Sequence, residues 1–209
     1  MLFKNRRDAG RHLVKALTKY ANQEVVVLGI ARGGVAVGYE VAKGLNAILE
    51  VIVPRKIPIP WSPEAGFGAI TEDGTIVLNE PIVKHIGFSK EEIRELSLPV
   101  LEEIRRRIKK YRGNKLFPVL NQKITILVDD GLATGYTMIA AIEMVKKHNP
   151  KKIVVAVPVS PKSSILLVRP LVEELVCLYT QEYGDFAVAS YYQEWRDLDD
   201  EEVLEYLKE

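Results

Sequence analysis

Two stretches of this chain share one grammar. EVVVLGIARGGVAVGYEVAKGLNAILEVIV, from Glu24, and KITILVDDGLATGYTMIAAIEMVKKHNPKKIVVAVPV, from Lys123, each run from an apolar strand through a glycine turn into a helix and on to a second apolar strand. Continuously apolar strands separated by helices mark a parallel sheet covered on both faces. Right-handed crossovers then bring both glycine turns to the carboxyl edge of the strands, facing one crevice. The expected fold is α/β: an open, mainly parallel sheet with helices on both faces and a small hood and lid region.

Composition limits what that crevice serves. The 209 residues are 47% hydrophobic and 27% charged, enough for a single domain with a full core. A formal net charge of +1 sets up no overall field for nucleic acid or an anionic membrane, so any anion must be held locally. The single cysteine, Cys177, has no internal partner, and MLFKNRRDAG lacks the apolar core of a signal peptide. A cytoplasmic location is expected. No apolar run reaches the ~20 residues of a membrane span.

The remaining segments fill in the domain. Asp8 to Ala21 places Ala9, Leu13, Ala16, Leu17 and Tyr20 on one helical face. Pro54 to Gly74, dense in proline and glycine, reads as an irregular functional lid, about residues 55–75. A helical insertion, about 89–112, opens on Ser89 and Glu92 in capping-box spacing, and Pro99 is expected to kink or split it. Its RRRIKKYR end suits a solvated helix face better than a nucleic-acid patch. A hood and helix close the domain over about 181–209, with DLDDEEVLEYLKE as a capped helix docking Val203, Leu204 and Leu207.

The second glycine turn carries the chemistry. From Gly131 to Thr137 the strand has ended and a helix begins, so free backbone N–H groups and the hydroxyls of Thr134 and Thr137 converge on one point, which suits phosphate. Asp129 and Asp130, just before it, would repel the phosphate but accept hydrogen bonds from paired hydroxyls. A sugar phosphate satisfies both halves. Other phosphate motifs fit less well. GLATGYT lacks the lysine of a Walker loop, GIARGG is not G-x-G-x-x-G, and Asp129 is followed two positions on by Gly131 rather than by a second aspartate.

Ile126-Leu127-Val128-Asp129-Asp130 followed by Thr134-Gly135-Tyr136-Thr137 resembles the signature of the type I phosphoribosyltransferases: apolar strand, two acids, Thr-Gly-x-Thr loop. FKNRRDAGRHLVKAL, RKIPIPWSPE and DFAVASYYQEWRDLDDEEV extend the resemblance over most of the chain, toward a less characterised subgroup. The resemblance implies transfer of ribose 5-phosphate from phosphoribosyl pyrophosphate to a nitrogen base, with pyrophosphate released through a cationic transition state. Asp129 and Asp130 would take the ribose hydroxyls, and Gly131 and Ala133 to Thr137 the 5′-phosphate region. Ala31, Arg32, Gly33 and Gly34 would form the pyrophosphate loop, with a cis peptide expected at Arg32-Gly33. Arg32, with Asp129 and Asp130, is a catalytic candidate, and Arg55 and Lys56 would help neutralise pyrophosphate. Magnesium is the implied cofactor, bound mainly through substrate oxygens and at most through Asp129 and Asp130.

Two departures stand out: Gly131 and Ala133 replace bulkier or hydroxylated residues, and Tyr136 stands where a small residue is usual. Ala133 costs about one hydrogen bond, on the order of 1 kcal/mol net. The acceptor is not named by the sequence. Phe186, Tyr191, Tyr192 and Trp195 are candidates for an aromatic wall, as are Ser160, Trp61 and Glu64 for polar or lid contacts. His12, His85 and His148 lack ligand spacing, and Cys177 suits a small core position. A non-catalytic sensor of phosphoribosyl pyrophosphate or a nucleotide on the same fold remains the alternative; a sugar-phosphate hydrolase lacks its acids and histidines. A homodimer is left open.

Overall fold

The computed structural model describes residues 2–208. Helix α1 (Arg6–Leu17) starts two residues before its expected first residue, because the Asn5 side chain caps it by accepting the Asp8 N–H at 3.1 Å. Ala16 lies exposed rather than on the buried face with Ala9, Leu13 and Leu17. The first repeat is β1 (Val25–Ile30), α2 (Gly33–Leu45) and β2 (Ile48–Ile52). There follow β3 (Arg55–Ile59), β4 (Ser62–Ile70), β5 (Ile76–Leu78), α3 (Glu80–Ile86) and α4 (Lys90–Arg112). The second repeat is β6 (Ile124–Val128), α5 (Tyr136–Lys146) and β7 (Lys152–Pro161), and α6 (Lys162–Val168), β8 (Glu174–Gln181) and α7 (Asp200–Lys208) complete the chain.

The main sheet has the order β2-β1-β6-β7-β8, and every neighbouring pair in it is parallel. Side chains alternate across it. Leu28, Leu127 and Val155 pack under Ile139 and Ile142 of α5, while Val27, Ile126 and Val154 pack under Leu13 and Leu17 of α1 and Val37 and Val41 of α2. The fifth strand, β8, has no counterpart in the sequence reading: ELVCLYTQ is an edge strand, half-buried, and so lacks the continuous apolar run of its neighbours.

The segment expected to be an irregular lid is mostly sheet. Strands β3, β4 and β5 form an antiparallel three-stranded layer, and Ile57, Phe67 and Ile70 join Ile93 and Ile104 of α4 and Val203 of α7 in a third apolar cluster. The longest exposed run is residues 60–65, around the β3–β4 turn. Proline is tolerated there because β3 is an edge strand with a register shift at Pro58. The capping box at Ser89 and Glu92 is formed as expected. Pro99 does not split α4, which stays anchored through Ile93 and Ile104 on either side.

The two ends of the described chain meet. The Leu2 and Phe3 N–H groups donate to the Tyr191 carbonyl, and the Gln193 and Glu194 N–H groups donate back to Phe3 and Lys4. Helices α1 and α2 cross closely where Gly10 meets α2. Alanine in a helix interior is favoured over glycine by ~1 kcal/mol. A Cβ at Gly10, however, would lie 2.7 Å from the Val37 carbonyl oxygen and 2.8 Å from Glu40 Cβ. Over-packing of that kind costs about 1–3 kcal/mol, so steric conflict wins. Gly10→Ala should therefore lower the urea midpoint; a raised midpoint would show that the helices separate freely.

Candidate active site

Strands β1 and β6 lie side by side with Gly29 opposite Val128, yet their following connections lead to opposite sides of the sheet, β1 to β2 and β6 to β7. This is a topological switch point, where loops diverge and open a crevice at the carboxyl edge. The loops after the two strands, residues 31–34 and 129–137, both lie there.

In the first loop the Ala31 N–H donates to the Ile52 carbonyl at 3.0 Å, and Arg32 is the N-cap of α2 without a side-chain cap. The amides of Gly33 and Gly34 thus open the helix, as an anion site requires. The cis peptide lies at Ala31–Arg32, one bond earlier than expected. The loops touch at Gly33, where a Cβ would fall 1.9 Å from Asp130 Oδ2 and 2.9 Å from Arg6 Nε. Only glycine fits between them.

Asp129 and Asp130 are half-buried. The Asp129 carboxylate accepts the Asp130 N–H at 2.8 Å, and burial, then the charge of Asp130, pushes its pKa well above the usual carboxylate range. Asp130 is held from the other side. Its Oδ2 accepts from Arg6 Nε at 2.7 Å, and its carbonyl accepts from the Tyr192 hydroxyl at 2.6 Å. Burial drives the Tyr192 pKa far up, keeping that hydroxyl a donor. Arg6 donates through Nη1 to the Arg196 carbonyl at 2.7 Å, and its Cζ lies 3.9 Å from the Trp195 ring centre.

Gly135, at φ +87°, turns the second loop into α5, again with no side-chain cap on the helix. The Leu132 N–H donates to Val159 at 2.9 Å, and the buried Ser164 hydroxyl donates to the Ala133 carbonyl, so both ends of the loop are braced. Thr134 is exposed and Thr137 half-buried. Both line a cavity of about 470 Å³ with Gly131, Ala133 and Tyr136, roofed by Lys56 and Gly66 of the small sheet. Gly131 has its reason in the hood: a Cβ there would lie 2.6 Å from the Val188 side chain.

Arg55 and Lys56 diverge, as neighbours on a strand must. Lys56 lines the cavity beside the second loop and donates to the Glu64 carbonyl. Arg55 approaches Glu103 at 3.8 Å and borders a second cavity of about 600 Å³, which runs from Ala31 along Leu96, Val100 and Arg107 of α4. Burial lowers the Arg55 pKa, and the charges of Arg107 and Arg32 lower it further. Three guanidiniums therefore gather beside the first loop.

Of the aromatic-wall candidates, Trp195 packs on Tyr192 with ring centres 5.1 Å apart. Tyr192 is buried in the core with Phe3, while Phe186 and Tyr191 pack against that cluster, which answers to ordinary apolar burial. Ser160 is buried with its hydroxyl on the Pro161 carbonyl, and Trp61 is 69% exposed at the lid turn. His12 packs against Phe3 and His148 against Phe117, and Cys177 packs, partly buried, against the core. Sequence reasoning misses Arg6 and Arg107. It assigns Arg107 to a solvated helix face. Arg6 does leave a signal: it falls three residues before Ala9 and seven before Leu13, a cation in line with an apolar stripe.

This geometry has relatives. Residues 2–189 match the model of the phosphoribosyl transferase domain. Two Mycobacterium tuberculosis proteins, each named "Putative phosphoribosyl transferase", are 39% identical over 206 residues, covering 99% of this chain and 46% of each relative. The chain thus spans about half the length of these curated relatives. A crystal structure of TT1426 from Thermus thermophilus is 33% identical with a TM-score of 0.82, covering 99% of this chain and 98% of that one. The Aquifex aeolicus protein AQ2163, at 15% identity and a TM-score of 0.55 over 86% and 76% of the two chains, shares the fold. With the paired acids, the Thr-Gly-Tyr-Thr loop and the switch-point crevice in place, the chain belongs to the phosphoribosyl transferase family.

Proposed function

We propose that this chain transfers ribose 5-phosphate from phosphoribosyl pyrophosphate to a small nitrogenous base, releasing pyrophosphate. The observation that carries the reading is the contact of the two loops at Gly33 and Asp130: it brings the Thr134–Thr137 turn, two carboxylates and an open helix N-terminus around one crevice. In this reading the α5 amides and the Thr134 and Thr137 hydroxyls bind the 5′-phosphate, and Asp129 and Asp130 accept from the ribose hydroxyls. The α2 amides, Arg32 and Arg55 face the pyrophosphate. Charge builds on that group as the C1–O bond breaks, so fixed cations stabilise the transition state more than the ground state. The exposed turn over residues 60–65 is the part of the small sheet free to close over the crevice.

The residues fit magnesium carried in with the substrate. Asp129 and Asp130 supply hard oxygen donors, and among the described residues there is no group of three or more His, Cys, Asp or Glu to cage a metal ion. An ion that sheds water reluctantly suits such a sparse site. When bound, magnesium would neutralise charge on the phosphates. Among the described residues no helix is long and apolar enough to cross a membrane.

Calorimetric titration should show phosphoribosyl pyrophosphate binding more tightly with magnesium than without it; no binding in either condition rules the reading out. Replacing both Thr134 and Thr137 by valine should weaken ribose 5-phosphate binding about 100-fold or more, the scale of two lost hydrogen bonds to a charged group. Unchanged affinity would put the phosphate elsewhere.

Arg32→Ala should cut kcat by about 10²-fold, the scale of one lost preorganised charge stabiliser. Ribose 5-phosphate affinity should stay near that of the wild type. The assay is pyrophosphate release with a panel of purines, pyrimidines and their analogues. Wild-type binding without transfer to any of them would favour the sensor, and an unimpaired Arg32→Ala enzyme would move the pyrophosphate to Arg55 and Lys56.

A further inference from the structure

Arg6 is in an unfavourable place for a cation. It is the first residue of α1, where the helix dipole presents its positive end, and it is only 8% exposed. Helix stability does not account for it; its contacts do. Nε donates to Asp130 Oδ2, Nη1 donates to the Arg196 carbonyl, and the guanidinium lies close enough over Trp195 for its Cζ to come within 3.9 Å of the ring centre. One side chain thus joins α1, the paired acids and the C-terminal hood.

The first of those contacts falls on Asp130, and the other two hold the guanidinium that makes it. The hood grips the Asp130 carbonyl through Tyr192, and Arg6 of α1, itself held by the hood, grips the carboxylate, while Gly33 closes the space beside Oδ2. Without Arg6, the carboxylate would face the like charge of Asp129 alone, and the two acids would swing apart or share a proton. Trp195 keeps Arg6 from turning outward by stacking on its open face. We infer that Arg6 is a positioning residue: backed by Trp195, it fixes the Asp130 carboxylate in the orientation that receives the ribose diol of a sugar phosphate held on the Thr134–Thr137 loop. The inference rests on the function proposed above. It gives the hood a task besides covering an acceptor, namely holding the diol-binding acid.

A residue that merely ties the chain ends together would affect every ligand alike. A positioning residue affects only the diol. The test is calorimetric binding of three probes to the full chain: ribose 5-phosphate, 2-deoxyribose 5-phosphate and inorganic phosphate. Wild type should prefer ribose 5-phosphate to its deoxy analogue about tenfold, the scale of one hydrogen bond to a charged group. In Arg6→Ala that preference should collapse toward unity, with inorganic phosphate binding kept within about twofold, since backbone amides hold the phosphate. Arg6→Lys, which keeps the charge but lacks the planar fork, should regain only part of the preference. Trp195→Leu leaves the ion pair in place and should lose part of it, so it carries the same comparison should Arg6→Ala not fold.

A full preference retained in Arg6→Ala and Trp195→Leu overturns the inference, as does equal weakening of all three ligands. A wild type that does not distinguish ribose from deoxyribose overturns the diol reading of the acids and this inference with it. A distinguishing wild type beside variants that distinguish equally well overturns this inference alone.

Discussion

The parallel pairing of β1 with β6 is the constraint on which the rest of the molecule depends. Its register, Gly29 against Val128, places the ends of the two strands level, so the loops that leave them must either share one small space or clash. They share it because residue 33 has no side chain; the Asp130 carboxylate occupies the volume a Cβ would need. The crevice exists because the chain then turns left and right from neighbouring strands. Helices α2 and α5 consequently begin at the same edge with their first amides unpaired by any capping side chain.

Such a crevice has a charge problem. Two adjacent carboxylates repel one another and any phosphate, by about 4 kcal/mol per pair of unit charges at 4 Å in a medium of effective dielectric ~20. The fold answers on two sides. Arg6 pairs with Asp130 from behind, and Arg32, Arg55 and Arg107 cluster in front, with Glu103 shared among Arg55, Arg106 and Arg107. The depressed pKa of Arg55 reports that crowding, since burial and like charge both disfavour a cation.

The small antiparallel sheet links those cations to the core. Its inner residues Ile57, Phe67 and Ile70 pack against α4, so Arg55 projects from a fixed support while the turn near residue 61 stands free of the core. Proline and glycine in this stretch suggest irregular structure when read along the sequence. They serve instead an edge strand with a register shift and close strand contacts, for instance at Gly68, where a Cβ would meet the Val77 carbonyl at 2.5 Å.

The sequence by itself determined the α/β class, the two strand–turn–helix–strand repeats, the acids at the end of β6 and the Thr134–Thr137 turn. These are local patterns: periodicity 2 against 3.6, glycine at turns, hydroxyls at a helix start, all readable within a window of a dozen residues. Tertiary structure alone decided which groups surround Asp130. Arg6 lies 124 residues from it in sequence and Tyr192 lies 62. The meeting of Arg6 with Arg196, at a separation of 190, depends on the pairing of the two chain ends. The same holds for β8, whose half-buried pattern becomes a strand only because β7 offers it an edge, and for Tyr192, an aromatic that packing turned into core. No local pattern encodes such meetings, because they are set by the packing of α1 and the hood around the sheet's carboxyl edge.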